Sequence, residues 1–173
     1  METGKRDDLA GEHKMADIGQ AALAGLFVIV YIADNFFLKY TVFLNNRLSL
    51  WFRVPLGLLL LLATGVLSKS GHRIIFKEKR EVPQVVRSGV FSVVRHPIYL
   101  GEILLYLGLL IFGISLAAAV VWVIIIFFLY FLARHEERLL LDRFGDEYRT
   151  YMQKIPMFIP AIRVKAKHQK GTG

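Results

Sequence analysis

The stretch VVRHPIYLGE, residues 93–102, sets an arginine, a histidine and a proline at the mouth of a long apolar run, with a glutamate about one helical turn inside it. Pro97 suits the first position of a helix, where its missing N–H leaves no bond unmade, so a helix is expected to begin there. The apolar run continues over 98–114, is broken only by Gly113-Ile114-Ser115, and resumes over 116–133. Two runs so joined predict a tight antiparallel hairpin. Its open ends, Arg95–Tyr99 and Arg134-His135-Glu136-Glu137, then lie side by side.

Upstream, further apolar runs cover 18–38 and 50–67, the second carrying Arg53 and Pro55 near its start. Each of the four runs approaches the roughly 20 residues that cross ~30 Å of hydrocarbon as a helix. A hydrophobic fraction of 55% and a mean hydropathy of +0.47 in 173 residues agree with a membrane protein. The fold class expected is therefore all-α. It is an integral membrane helical bundle of four predicted transmembrane helices in one domain, 1–173, with a polar segment at 1–17 and a basic tail at 163–173.

The first run follows a mixed-charge stretch and shows no convincing cleavage site, so the first helix is expected to stay. With no cysteine there is neither a disulfide framework nor a thiolate site. The five histidines do not fall at metal-ligand spacing, and no metal site is expected.

Lysine and arginine give an orientation. Of 22, three precede the first run, seven lie between the second and third, and nine follow the fourth, against three (Lys39, Arg47 and Arg53) on the other side. This asymmetry predicts cytoplasmic termini, with the protein in the cell membrane if the source is prokaryotic. The net charge of +8 then serves topology and contact with anionic membrane lipids. No nucleic-acid module is visible.

After Ala133 the pattern becomes amphipathic. Glu137, Leu141, Phe144, Tyr148 and either Tyr151 or Met152 fall on one stripe at helical period, which predicts a C-terminal amphipathic interfacial helix with a bend at Gly145 and an end at Pro156 or Pro160. Glu137 sits on that apolar stripe and needs a partner. Arg134 three residues earlier, Arg95 across the hairpin, or a bound cation, amine or hydroxyl would each serve. Tyr99 and Glu102 share a helix face, and Gly101 allows close approach by a helix or a ligand. Taken one residue at a time, the group reads as headgroup anchors and paired charges. As a cluster at membrane depth it marks a functional site.

The run Arg95-His96-Pro97-Ile98-Tyr99-Leu100-Gly101, then Glu136-Glu137-Arg138-Leu139-Leu140, then Phe144-Gly145-Asp146-Glu147-Tyr148-Arg149-Thr150-Tyr151, resembles the integral-membrane methyltransferase superfamily. That superfamily includes isoprenylcysteine carboxyl methyltransferases and phospholipid N-methyltransferases. The resemblance covers roughly 88–160 and is to compact prokaryotic members. The GxG element of eukaryotic phospholipid enzymes is missing from the second run, which offers Gly57 and Gly65 instead.

The resemblance implies that 88–160 binds S-adenosylmethionine at the cytoplasmic end of the bundle, through His96, Tyr99, Leu100, Glu136 and Glu137. It also implies a lipid or lipidated small-molecule acceptor arriving from the membrane. Arg95 or Arg134 would place a carboxylate acceptor, whereas Glu102, His96 or Tyr99 would relieve an amine of its proton. Two other readings compete: a sterol-reductase-like enzyme using NADPH, and a membrane packing or interaction protein with no catalysis. The segment 68–87 reads as a loop that caps the site.

Overall fold

The computed structural model describes residues 14–77 and 84–160, and every element among them is helical. Five α-helices follow in order: α1 (Lys14–Ile32), α2 (Leu50–His72), α3 (Pro97–Phe112), α4 (Leu116–Phe144) and α5 (Asp146–Lys154). A π-helical turn extends α1 over Ala33–Leu38, and another extends α2 over Arg73–Lys77. Most of the polar segment at 1–17, and all of the basic tail at 163–173, lie outside the described residues.

The segments around α1, α2 and α4 are long and apolar enough to cross a membrane, over Ala16–Leu38, Leu50–Ile75 and Leu116–Phe144. Four spans were expected from the sequence. The fourth apolar helix, α3, is shorter at 16 residues. The chain is an integral membrane protein, and large side chains such as Trp51, Phe52, Leu62, Phe127 and Phe131 project from the bundle as lipid would require.

Helix α4 explains how a carboxylate enters the interior. Its buried residues are Ala118, Val121, Ile125, Leu129, Ala133 and Glu137, one stripe at three- and four-residue spacing. Glu137 is simply the last position of the core-facing stripe. Above it Phe27 of α1 packs with Ile103, Tyr106 and Leu110 of α3 against Val121, Ile125 and Leu129 of α4. The Trp122 indole fastens α4 to α3 by donating to the Ile103 carbonyl at 3.0 Å.

The other face of α3 meets α2 through small residues. A Cβ on Gly101 would lie 2.8 Å from Ser68 Oγ, and one on Gly108 would lie 3.3 Å from the Gly57 carbonyl. The Thr64 hydroxyl donates to the Gly101 carbonyl at 3.0 Å across the same seam. Without a hydrophobic driving force between helices in lipid, such close backbone packing and hydrogen bonding hold them together. Of the two partners allowed for Gly101, the helix is the one it meets.

A buried polar knot closes the turn of the α3–α4 hairpin. Asp34 accepts from the Thr41 amide at 3.1 Å and from the hydroxyls of Thr41 and Ser115. Arg53 of α2, 6% exposed, donates to the carbonyls of Ile111 (2.9 Å), Phe112 and Asn45 (3.3 Å). It therefore satisfies the carbonyls that the end of α3 leaves orphaned. Ser115 caps α4 by accepting from the Ala118 amide at 3.1 Å.

The segment 68–87 departs from the expected loop. Residues 68–72 complete α2 and 73–77 continue it as a π-helical turn, while 78–83 lie outside the described residues. Polar residues such as Ser68 and Lys69 end an apolar run without ending a helix.

Candidate functional site

At the end of the bundle opposite the knot, the hairpin brings its two polar segments together. Arg95 Nε donates to Glu137 Oε1 at 2.7 Å, with the arginine side chain 9% exposed and Glu137 1% exposed. His96 Nε2 meets the same oxygen at 3.3 Å, and its Nδ1 faces Glu136 Oε2 at 3.6 Å. The Tyr99 hydroxyl donates to Glu136 Oε1, and its ring stacks on the His96 ring with centroids 5.6 Å apart. Two glutamates of α4 are thus met by Arg95, His96 and Tyr99 at the entrance to α3.

Arg134 Nη1 lies 3.5 Å from Glu137 Oε2, an ion-pair distance without a hydrogen bond, and its side chain is 46% exposed. Both arginines named as partners for Glu137 are therefore present, the buried Arg95 bound tightly and the exposed Arg134 loosely. Glu137 Oε2 itself is buried and, among the described residues, accepts no hydrogen bond. A buried carboxylate oxygen left so is costly, and it marks a position with capacity for a donor.

The entrance to α3 adds donors. No side chain caps the helix, and Leu100 makes its first bond, to the His96 carbonyl at 3.0 Å. The Ile98 and Tyr99 amides precede that bond and lie outside the helix ladder, where they favour an anion. Leu100 is half-buried beside them.

The C-terminal segment wraps this entrance, which the sequence did not reveal. The Arg95 amide donates to the Pro156 carbonyl at 2.9 Å and the His96 amide to the Met157 carbonyl at 3.2 Å. The Arg95 guanidinium also binds the carbonyls of Met152 (3.0 Å) and Ile155, so it ends α5 as well as holding Glu137. Phe158 tilts against the His96 ring at 6.1 Å. Tyr148 and Tyr151 of α5 are buried with Val85, and the Tyr151 hydroxyl donates to the Phe91 carbonyl at 2.7 Å. Gly145, at φ +54°, turns the chain from α4 into α5 in a conformation that favours glycine.

Electrostatics follow this geometry. Burial disfavours a charged His96, but hydrogen bonds and charges from Glu136 and Glu137 outweigh it and raise its pKa above the usual value. Burial pushes the Tyr151 hydroxyl up to about 12 against the pull of Arg95 and Arg87, so it stays a neutral donor. Burial raises Tyr148 as well, with Glu137 adding to the effect.

Glu102 stands apart. It lies one turn deeper on α3, half-buried, and takes a hydrogen bond from the Tyr106 hydroxyl at 3.3 Å. His135, between the two site-forming positions Arg134 and Glu136, is exposed.

A helical membrane bundle with a charged, partly unsatisfied cluster at one end of its central hairpin is the class of protein these features define. The family model described as phospholipid methyltransferase matches residues 52–147, and the chain belongs to that family. Methanethiol S-methyltransferase 1 of Bradyrhizobium diazoefficiens is 42% identical over 73 residues, covering 41% of this chain and 24% of that protein. Protein-S-isoprenylcysteine O-methyltransferase of Xenopus laevis is 29% identical over 147 residues, covering 75% of this chain and 48% of its own length. The solved structure of the eukaryotic intramembrane Ras methyltransferase, isoprenylcysteine carboxyl methyltransferase, shares the fold. Its TM-score is 0.63 at 23% identity, covering 84% of this chain and 53% of that one. The chain thus spans about half or less of the proteins it matches.

Proposed function

We propose that the protein is an S-adenosylmethionine-dependent methyltransferase acting on a lipophilic acceptor at the membrane interface. The observation that carries this is Glu137: a carboxylate drawn into the interior by the core stripe of α4, fixed at one oxygen by Arg95 and His96, and buried without a hydrogen bond at the other among the described residues. A buried acceptor so oriented suits an ammonium or a pair of ribose hydroxyls. The amides at the entrance to α3 suit a carboxylate. The residue set fits a zwitterionic nucleoside cofactor.

Within this reading Glu137, Glu136, His96, Tyr99 and Leu100 line the cofactor position. Bound there, the cofactor would supply a methyl group on a positively charged sulfur. Arg95 is a positioning residue, since its guanidinium is engaged by Glu137 and two carbonyls of the wrapping segment. Arg134 is exposed enough to meet the phosphate or carboxylate of an acceptor at the interface. Desolvation and placement carry the catalysis, with the segment 155–158 excluding water from the His96 side.

The same reading makes α3 the fourth span, ~24 Å long at 1.5 Å per residue, with shallow ends that bring its entrance to the headgroup level. Helix α5, with Tyr148 and Tyr151 turned inward and Glu147, Arg149 and Lys154 outward, lies at the interface. The excess of lysine and arginine at the cluster's end supports cytoplasmic termini.

The names of the relatives cover a small thiol, an isoprenylcysteine and, in the family description, a phospholipid, so the acceptor is proposed as lipophilic and reached laterally. Purified protein in lipid vesicles, given methyl-labelled S-adenosylmethionine and offered a prenylcysteine analogue, aminophospholipids and a long-chain thiol in turn, should move label into the organic extract with one of them. Failure with all three, together with no binding of S-adenosylhomocysteine, would overturn the proposal.

A further inference from the structure

On the side of α3 that faces α1 and α4, Tyr99, Glu102 and Tyr106 form a polar line from the charged cluster into the apolar core. Tyr99 ties its upper end to Glu136. Tyr106 anchors the lower end, buried, with its ring 4.7 Å from the ring of Phe27. Glu102 lies between them, and its neighbour Gly101 is packed against α2. Among the described residues its one hydrogen bond comes from Tyr106, at 3.3 Å, and no arginine or lysine comes within ion-pair distance.

That isolation contrasts with Glu137, which is held by Arg95, Arg134 and His96. A carboxylate has about four acceptor positions, and Tyr106 uses one. Arg95 cannot turn to Glu102 without abandoning Glu137 and the end of α5. A carboxylate placed in an apolar interior next to a group-transfer site, with spare acceptor capacity and no counter-charge among the described residues, attracts a proton donor and repels an anion.

We infer that Glu102 selects an acceptor nucleophile that carries a proton, an amine or a thiol, over a carboxylate. This rests on the methyltransferase reading of the adjoining cluster. The proton of the acceptor's ammonium N–H or thiol S–H passes to a Glu102 oxygen. The electron pair so freed on nitrogen or sulfur would form the new bond to the methyl carbon as the carbon–sulfur bond of the sulfonium breaks and its electrons stay on the departing S-adenosylhomocysteine. The proton returns to solvent when the product leaves. A carboxylate acceptor has no proton to give and would set a second negative charge against Glu102, which like-charge repulsion in a desolvated site disfavours.

The test begins with binding. Protein in nanodiscs is saturated with S-adenosylhomocysteine, then titrated with a long-chain amine, a long-chain thiol and a long-chain carboxylic acid of equal length. The amine or the thiol, whichever the protein uses, should bind at least about tenfold more tightly than the acid, a difference of ~1.4 kcal/mol. Glu102→Gln should erase that preference while leaving S-adenosylhomocysteine affinity unchanged. Its methyl transfer should recover as pH rises toward the acceptor's own pKa. Tyr106→Phe, which removes the hydrogen bond Glu102 receives, should keep the preference. Tighter binding of the acid, or a Glu102→Gln variant with wild-type selectivity and pH profile, overturns the inference. Equal loss of selectivity in Tyr106→Phe reduces Glu102 to a partner of that tyrosine and overturns it as well. Absence of S-adenosylhomocysteine binding in the wild type overturns the methyltransferase reading with it.

Discussion

Arg95 Nε lies 2.7 Å from Glu137 Oε1, and the other oxygen of the same carboxylate is buried without a hydrogen bond. One glutamate therefore serves two ends: it joins the helix entrance to α4 and keeps an acceptor in reserve. The same guanidinium closes α5 through Met152 and Ile155. The Arg95 side chain thus couples site and wrapping segment, beside the backbone bonds of Arg95 and His96 to Pro156 and Met157.

Replacing Arg95 by Met strips Glu137 of its main counter-charge and frees the carbonyls at the end of α5. Breaking a buried pair by removing one partner costs about 3–5 kcal/mol. The expected result is a lower melting temperature in detergent, with faster hydrogen exchange concentrated in 146–158. Wild-type exchange in that segment would show that Arg95 does not hold it.

His96 gives a pH signature. Its folded pKa is raised, so protonation contributes stability that is fully present below the unfolded value of about 6.5 and is lost as pH rises through the folded value. Ligand-free protein should melt at lower temperature as pH increases across that window. His96→Gln should flatten the dependence, because Glu136 and Glu137 then face a side chain that does not titrate.

At the α2–α3 seam, Gly101→Val would drive its side chain into Ser68 and the backbone at Thr64. Overpacking of this kind costs about 1–3 kcal/mol. The variant should unfold at lower denaturant, whereas Gly65→Ala, whose added Cβ meets nothing within 4 Å, should match the wild type.

The parts of this structure visible in the sequence are those written in local chemistry. Pro97 at a helix start, the brief break at Gly113–Ser115 and a stripe that carries Glu137 inward each have a short-range cause, and together they locate the cluster. The wrapping of 155–158 is not visible, because the Arg95 and His96 amides meet the Pro156 and Met157 carbonyls through backbone alone. The knot at the opposite end offers two signs, Arg53 and an aspartate at position 34, each within an apolar run. The aspartate's partner Thr41 is supplied by the turn that follows α1, whereas Ser115 is brought to it only by the packing of α1 on α4. The end of α2 is not legible because hydropathy falls at Ser68, while the helix itself continues to His72.

The most direct test of the central claim is isothermal titration of the detergent-purified protein with S-adenosylhomocysteine, beside Glu137→Gln. Losing a charge-assisted hydrogen bond is worth about 1.5–3 kcal/mol. Saturable binding by the wild type, weakened about ten- to a hundredfold in the variant while its helicity and membrane insertion persist, is the predicted result. Equal affinity in both would place the cofactor away from Glu137 and contradict the account.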